Sequence, residues 1–375
     1  MRIAVAGAGI VGLSTAWALR SRGHEVTVFE RGPIPNPIAS SYDEQRYHRF
    51  AYGKMGGYSK LSLGVTKAWD VLWNALQESL YIETGVLYVA DAGNEDLARS
   101  VAFARDNGLA YDEIGSVDFV RRFPHLRLRL TDHAVLFPQS GILLAERILV
   151  SLARWLSAKG VALRPYAKVE EVDHDDGRIR ILGVWQQFDQ VIVAAGSWTG
   201  ELVPNGDELQ PSRQIMLYAE PPDRLAAEWA SSPALSDWTV QDNFYVTPPL
   251  RGTRMKMTFD LPFEGDADMT REASPAEIAI VTAIARDALY SFDEYRIVGG
   301  RACYYTNTAD RSFFVRGHGR SWVVSTCSGH GFKFGAMTGM AVADAVEGKV
   351  TASELRNKLE GRPPLKESEP GGRSA

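Results

Sequence analysis

The chain has 375 residues, 45% of them hydrophobic and 23% charged, with a formal net charge of −5. That length gives two or three domains with ample core, and the acidic balance without a basic cluster excludes a nucleic-acid binder. No apolar run reaches bilayer-spanning length, and two cysteines, Cys303 and Cys327, make neither a disulfide framework nor a zinc site. The first element is a short apolar strand, Ile3 to Ala6, which enters a glycine cluster at Gly7, Gly9 and Gly12. A helical stretch from Leu13 to Ser21 stops at Gly23, and a second apolar run, Val26 to Phe29, ends on Glu30. This is a βαβ unit with the dinucleotide fingerprint in its expected context. Gly7 allows the turn out of the strand, Gly9 lets a pyrophosphate approach the backbone, and Gly12 lets the helix pack close to the strand. Phosphates are then expected at the helix N-terminus, with Glu30 accepting from ribose hydroxyls. The motif alone leaves FAD and NAD equally open. Arg2 ahead of an apolar run looks like the start of a signal peptide, but the glycines argue against one.

Three prolines after Glu30 mark a loop, followed by a dense polar stretch from Ser40 to Arg49. The spacing of Val65, Trp69, Leu72, Trp73, Leu76 and Leu80 predicts an amphipathic helix. Gly85 to Ala90 reads as a strand, Glu95 to Asn107 as a helix closed by Gly108, and Ser116 to Phe123 as a short helix stopped by Pro124. Leu144 to Lys159 is a further helix, with strand-like pieces around Val169 and Ile179. Val191 to Gly196 reads as a buried strand running into a glycine turn. The stretch from Gln210 to Phe263 is strand-rich. Within it, alternation places Arg254, Lys256, Thr258 and Asp260 on one face and Met255, Met257 and Phe259 on the other. Ala276 to Leu289 is a helix, and a last strand, Trp322 to Ser325, leads through Ser328-Gly-His-Gly-Phe-Lys333 into a helix from about Met337 to Val346. The nucleotide-binding elements are thus dispersed, so the chain leaves that domain twice to build a second one, with the ligand crevice where the two meet.

The fingerprint, Arg46-x-x-Arg49-x-Ala-Tyr-Gly, Ala195-Gly-Ser-Trp198, Cys303-Tyr-Tyr-Thr306 and Ser328-Gly-His-Gly-Phe-Lys-Phe334 together resemble the FAD-dependent amine oxidases of the D-amino-acid-oxidase superfamily. The nearest branch is that of monomeric sarcosine oxidase and N-methyltryptophan oxidase, matched in order over nearly the whole chain. The resemblance implies an α/β (mixed α+β) fold: a Rossmann-like FAD-binding domain from residues 1–84, 140–210 and 312–362, a substrate domain built on an antiparallel sheet with helices from 85–139 and 211–311, and a flexible tail at 363–375. It selects FAD over NAD. It implies that the cofactor is held by Gly7, Gly9, Ile10, Val11, Gly12, Glu30, Arg31, Ser40, Ser41, Arg46, Val169, Gly196, Trp198, Gly329, His330, Gly331, Phe332 and Lys333, and that Cys303 forms a thioether to the flavin.

On the residues alone, Cys303 reads as a buried free thiol and Lys256 as part of a solvated strand face. The resemblance instead makes Lys256 the residue that promotes reaction with oxygen, through a buried ammonium that stabilises charge developing on oxygen. It also implies that Arg49 and Lys333 hold the substrate carboxylate, the first as a planar fork and the second as a point charge. Arg46 and Tyr305 are implied beside the flavin as catalytic residues, and Tyr245 and Tyr305 as aromatic walls of the substrate pocket. Cys327 has no such match and reads as core. Two positions depart from the branch: sarcosine oxidases carry histidines beside the substrate where this chain has Tyr42 and Asp260, so the resemblance implies that Tyr42 and Asp260 are substrate-binding positions. The substrate expected is therefore a larger or more basic amino acid, or a cyclic secondary amine, rather than sarcosine. Asp260 either pairs with the substrate's ammonium or bonds a neighbouring arginine. The function implied is oxidation of the C–N bond of an amino acid or N-alkyl amino acid to an imine, with hydrogen peroxide as co-product. Two alternatives stay open: a dehydrogenase passing electrons to a carrier, and a non-catalytic FAD subunit. Expected partners are the amine and oxygen, without nucleic acid, membrane or metal. The expected state is a cytoplasmic monomer.

Overall fold

The computed structural model describes residues 1–129, 132–239, 243–260, 263 and 265–362. The tail expected at 363–375 lies outside the described residues. A six-stranded sheet is organised around the strand Arg2–Ala6, which pairs in parallel with Glu25–Phe29 on one side and Gln190–Val193 on the other. Ala162–Arg164 extends one edge in parallel; Ser321–Ser325 extends the other, with Phe314–His318 antiparallel outside it. A strand paired on both sides in such a sheet is covered on both faces, which is why Ile3 to Ala6 read as continuous apolar residues. Ile3 and Val5 pack with the helices Ile10–Ser21, Ala145–Ala158 and Gly335–Val346. Ala4 and Ala6 face the opposite way, toward Val172, Ile179 and Ile181 of a small antiparallel sheet.

The second large sheet has eight strands, in the order Arg296–Asn307, Gln210–Glu220, Met255–Thr258, Phe244–Thr247, Ala234–Asp237, Val86–Asp91, Asp132–Phe137 and Asp112–Ile114. It differs from the expected antiparallel sheet at one seam: Ala234–Asp237 and Val86–Asp91 run parallel. That seam joins segments from two separate stretches of chain, so no hairpin dictates their direction. The helix Pro275–Ala288 covers one face of this sheet. Its start is written locally, since Ser274 and Glu277 form a capping box with Pro275 in the first turn. Arg213 then ties the helix to the strand Gln210–Glu220 through Glu277 at 2.8 Å. Met255, Met257 and Phe259 are buried in the core formed with that helix. Burial of each such side chain stabilises by about 1.5–3 kcal/mol.

The opposite face of the strand Met255–Thr258 is not solvated: Lys256 is 2% exposed and Thr258 1%. It looks toward a second small sheet, Arg46–His48 with Gly141–Leu143 and Tyr81–Ile82. Neither the strand Arg46–His48 nor the helix Gly56–Ser62 was signalled by periodicity, and Val169 lies outside any strand. The Gln45 side chain donates to the Pro248 carbonyl at 2.9 Å and so fixes the polar stretch against the eight-stranded sheet. Among the described residues, no helix is long and apolar enough to cross a membrane.

Candidate active site

One cavity runs from the glycine fingerprint to Lys256 and Lys333. Four parallel strands deliver their carboxyl ends to it: Ala6 with Gly7 and Gly9, Phe29 with Glu30 and Arg31, Ala194 through Trp198, and Val324 through Lys333. In open α/β sheets this is where ligands bind. Tyr245, Lys256 and Tyr305 of the eight-stranded sheet close the far end.

At the near end the glycines behave as the motif requires. Gly7 adopts φ +109°, and a Cβ on Gly12 would lie 1.9 Å from the Gly7 carbonyl oxygen. The helix Ile10–Ser21 has no side-chain cap of its own and no acidic residue in its first turn, so its N-terminal dipole favours an anion. The Ser41 hydroxyl accepts the Ile10 N–H at 3.0 Å. Glu30 is buried at the end of its strand. It accepts the Ala8 N–H at 2.8 Å on one oxygen, and the Gly32 N–H at 3.1 Å and Asn36 amide at 2.9 Å on the other. These bonds hold the carboxylate in place while leaving acceptor capacity for ribose hydroxyls. Ile10, Val11, Ser40, Ser41, Val169 and Gly196 complete this wall, and Arg31 stacks on the Trp198 ring at 4.4 Å. The arrangement fits a dinucleotide.

At the far end, cations are set in a tyrosine-rich wall. Lys256 donates to Asp43 at 2.8 Å and to the Gln45 carbonyl. Arg46 shares Asp43 with it and donates to the Ser40 carbonyl at 2.8 Å. Burial alone would raise the Asp43 carboxyl, but Lys256 and Arg46 outweigh it and hold Asp43 well below the usual carboxylate range. The Tyr245 and Tyr305 hydroxyls lie 3.4 Å apart, and the Tyr47 and Tyr245 rings are 5.3 Å apart. Lys333 is buried, donates to the His330 carbonyl at 2.9 Å, and has its own carbonyl held by the Trp69 indole N–H at 2.7 Å. Burial first, and Arg49 second, push the Lys333 ammonium well below its ordinary value. Arg49 lies over the Tyr52 ring at 4.7 Å, and its buried Nε has no partner. Asp260 faces this pair: its charge raises both Arg49 and Lys333. Gly329, His330, Gly331 and Phe332 line the adjoining wall.

Several residues sit differently from their sequence reading. Tyr42 is not on the cavity wall. Its hydroxyl donates to Glu146 at 2.8 Å, because the helix Ala145–Ala158 begins beside it. Gly12 serves the wall from behind. Cys303 is buried, its Sγ 3.6 Å from the Ser40 carbonyl, among Met216, Tyr218 and Tyr305. Cys327, read as core, lines the cavity. Arg49 and Asp260 stand beside the lining residues Tyr47, Tyr245 and Lys333, without being lining residues themselves. The sequence reading missed Asp43, Tyr47 and Tyr218. Only Asp43 left a signal, an acid three residues before Arg46. Among the described residues, no cluster of three or more His, Cys, Asp or Glu could hold a metal ion.

A family model described as DAO, FAD dependent oxidoreductase, matches residues 2–345. Monomeric sarcosine oxidase of Bacillus sp. (strain B-0618) is 25% identical over 381 residues, covering 98% of this chain and 97% of that protein. N-methyl-L-tryptophan oxidase of Salmonella typhi is 25% identical over 365 residues, covering 94% and 96%. Among solved structures, NikD, an unusual amino acid oxidase essential for nikkomycin biosynthesis, superposes with a TM-score of 0.80 at 21% identity over 98% of each chain. Glycine oxidase from Bacillus cereus ATCC 14579 gives 0.80 at 18% identity, over 97% of this chain and 99% of that one. These structures share the fold.

Proposed function

The chain belongs to the DAO family of FAD-dependent oxidoreductases, and from that premise we propose that it oxidises the C–N bond of an α-amino acid or N-alkyl amino acid. The observation that carries this reading is the pair of buried cations, Arg49 with its unpartnered Nε and Lys333, beside the cavity end where Lys256 and Tyr305 converge. A relay of electrons needs no such clamp; a substrate carboxylate does. The likeness to sarcosine, N-methyltryptophan and glycine oxidases supports the same class.

The fingerprint glycines, Glu30, Ser41 and the Arg31–Trp198 stack would hold the nucleotide end of FAD. Bound FAD supplies the two-electron acceptor for the amine and returns those electrons to oxygen. The chain's part is orientation and charge. Arg49 and Lys333 hold the carboxylate, Tyr245 and Tyr305 flank the amine, and Lys256 and Arg46 supply positive charge. The amine gives up two electrons and two protons to become an imine, which water hydrolyses; oxygen takes them up as hydrogen peroxide. The test is an anaerobic screen of amino acids and N-alkyl amino acids for bleaching of the yellow enzyme, followed by peroxide yield in air. Failure of every amine to bleach it overturns the reading. Residues 1–84, 140–210 and 312–362 are read as the FAD-binding domain and 85–139 with 211–311 as the substrate domain. A cytoplasmic monomer completes the reading.

Asp260 beside the clamp supports a substrate with a second cationic or larger amine-bearing group. Asp260→Asn is expected to lower activity on such amines by roughly 10- to 150-fold relative to simple N-methyl amino acids, the value of a hydrogen bond to a charged group. An unchanged ranking of substrates removes Asp260 from recognition.

Cys303 is read as the point of covalent attachment. Its support is position: Cys303 does not line the cavity itself but lies two residues before the lining residue Tyr305, with its Sγ against the carbonyl of the lining residue Ser40. Acid precipitation is expected to leave the yellow colour in the pellet of the parent protein and to release it from Cys303→Ala. A colourless parent pellet rules out the linkage.

A further inference from the structure

Asp43, 3% exposed, accepts four donors. One oxygen takes the Glu44 N–H and the Tyr218 hydroxyl, each at 2.7 Å; the other takes the Lys256 ammonium at 2.8 Å and the Arg46 guanidinium. A carboxylate offers about four lone-pair sites, so this one is saturated and cannot turn. Lys256 has three N–H donors. Asp43 takes one and the Gln45 carbonyl another, leaving one for whatever occupies the cavity that Lys256 lines.

We propose that Asp43 is the positioning residue for Lys256: it keeps the ammonium charged inside a buried site and leaves its one uncommitted N–H for the cavity, where oxygen reacts. The inference rests on the oxidase reading given above. A plain structural ion pair would need one cation. Here one carboxylate stands between two, Lys256 and Arg46, so the group keeps a net positive charge.

The charged and titratable groups facing Lys256 are Asp43 and Arg46 from the segment entering the strand Arg46–His48, Tyr218 opposite it on the neighbouring strand, and Cys303 from Arg296–Asn307. Burial pushes the Lys256 ammonium down, Asp43 pushes it back up, and Arg46 lowers it again, leaving it at about 8. Tyr218 is raised by burial and by Asp43, so it stays neutral there. Without the Asp43 charge, burial and Arg46 act in the same direction and the lysine loses its proton near neutrality.

The test is Asp43→Asn, which keeps the shape and removes the charge. In the parent enzyme, the rate at which the reduced protein reacts with oxygen is expected to fall as pH rises through about 8. In Asp43→Asn that fall is expected about 1–3 pH units lower, so oxygen reactivity is lost near neutrality and recovers in mild acid. A merely structural role would lower the rate equally at every pH. A second readout is the melting temperature of the holoenzyme. Asp43→Asn is expected to melt lower than the parent, and the double variant with Lys256→Met is expected to melt higher than Asp43→Asn alone, since it removes the stranded cation. An unmoved pH profile, or a double variant that melts no higher, overturns the proposal. A parent enzyme inert to oxygen would instead overturn the oxidase reading, and the melting comparison would still decide whether Asp43 holds the charge on Lys256.

Discussion

Lys256→Met is expected to slow the reaction of the reduced enzyme with oxygen by about 10²–10³-fold, the usual loss on removing one preorganised charge-stabilising donor. Anaerobic reduction by the amine should fall far less, because the carboxylate clamp is built from other residues. The physical reason is the position of the ammonium. It is buried on a strand whose other face is packed into the core, and it lines the cavity between the Asp43 carboxylate and the tyrosine wall. Its burial means that a fixed charge acts with little screening on an oxygen that is becoming negative. Methionine keeps the volume and the apolar stem and removes only the charge. Asp43 stays partnered by Arg46 and Tyr218, so the variant should fold. Stopped-flow measurement of the two half-reactions separately is the check. Equal losses in both would mean that Lys256 shapes the site and has no special part in oxygen chemistry, and an unchanged oxygen step would point to a dehydrogenase.

What could be read along the chain, and what could not, follows from the reach of each signal. The βαβ fingerprint is local: the strand Arg2–Ala6 and the acid at Glu30 lie where the spacing puts them, and the helix ends at Ser21 as expected but begins at Ile10, three residues before Leu13. The alternation around Lys256 was equally local and gave the correct two faces, but periodicity does not say what a polar face looks at. Solvent was the default, and the answer was a buried carboxylate 213 residues away in sequence. Tyr218 meets the same carboxylate across 175 residues. No periodicity contains such pairings; only the sheet order brings them together. The same limit explains Tyr42, whose place in a motif suggested the substrate while the chain fold gave its hydroxyl to Glu146. It also explains Cys327, which carries no motif but follows a strand that delivers its end to the cavity. The short strand Arg46–His48 lay hidden for a different reason. Its residues are polar because they serve the site, and strand signals depend on apolar alternation.

Replacing Arg49 or Lys333 by Met should impair function, and at Lys333 stability should move the opposite way. Truncating one side of a buried charge pair costs about 2–5 kcal/mol, so either variant should lose roughly 30- to several-thousand-fold in kcat/KM for an amino-acid substrate, mostly through KM. Without substrate the balance reverses. Lys333 is pushed down by burial and by Arg49, and the opposing pull of Asp260 does not reverse that. A buried cation that must wait for its anion destabilises the empty protein. Lys333→Met should therefore melt higher than the parent in the absence of ligand. The pH dependence has a fixed sign. Lys333 binds its proton less tightly folded than unfolded, so the unfolded chain holds more protons below its ordinary value and parent stability rises with pH. The advantage of Lys333→Met should shrink accordingly as pH climbs toward the normal lysine range. Acetate, a carboxylate without an oxidisable amine, should raise the melting temperature of the parent and leave either variant nearly unmoved. Loss of stability together with an unchanged KM would show that these cations hold the fold rather than the substrate, and the carboxylate clamp would have to be sought elsewhere in the cavity.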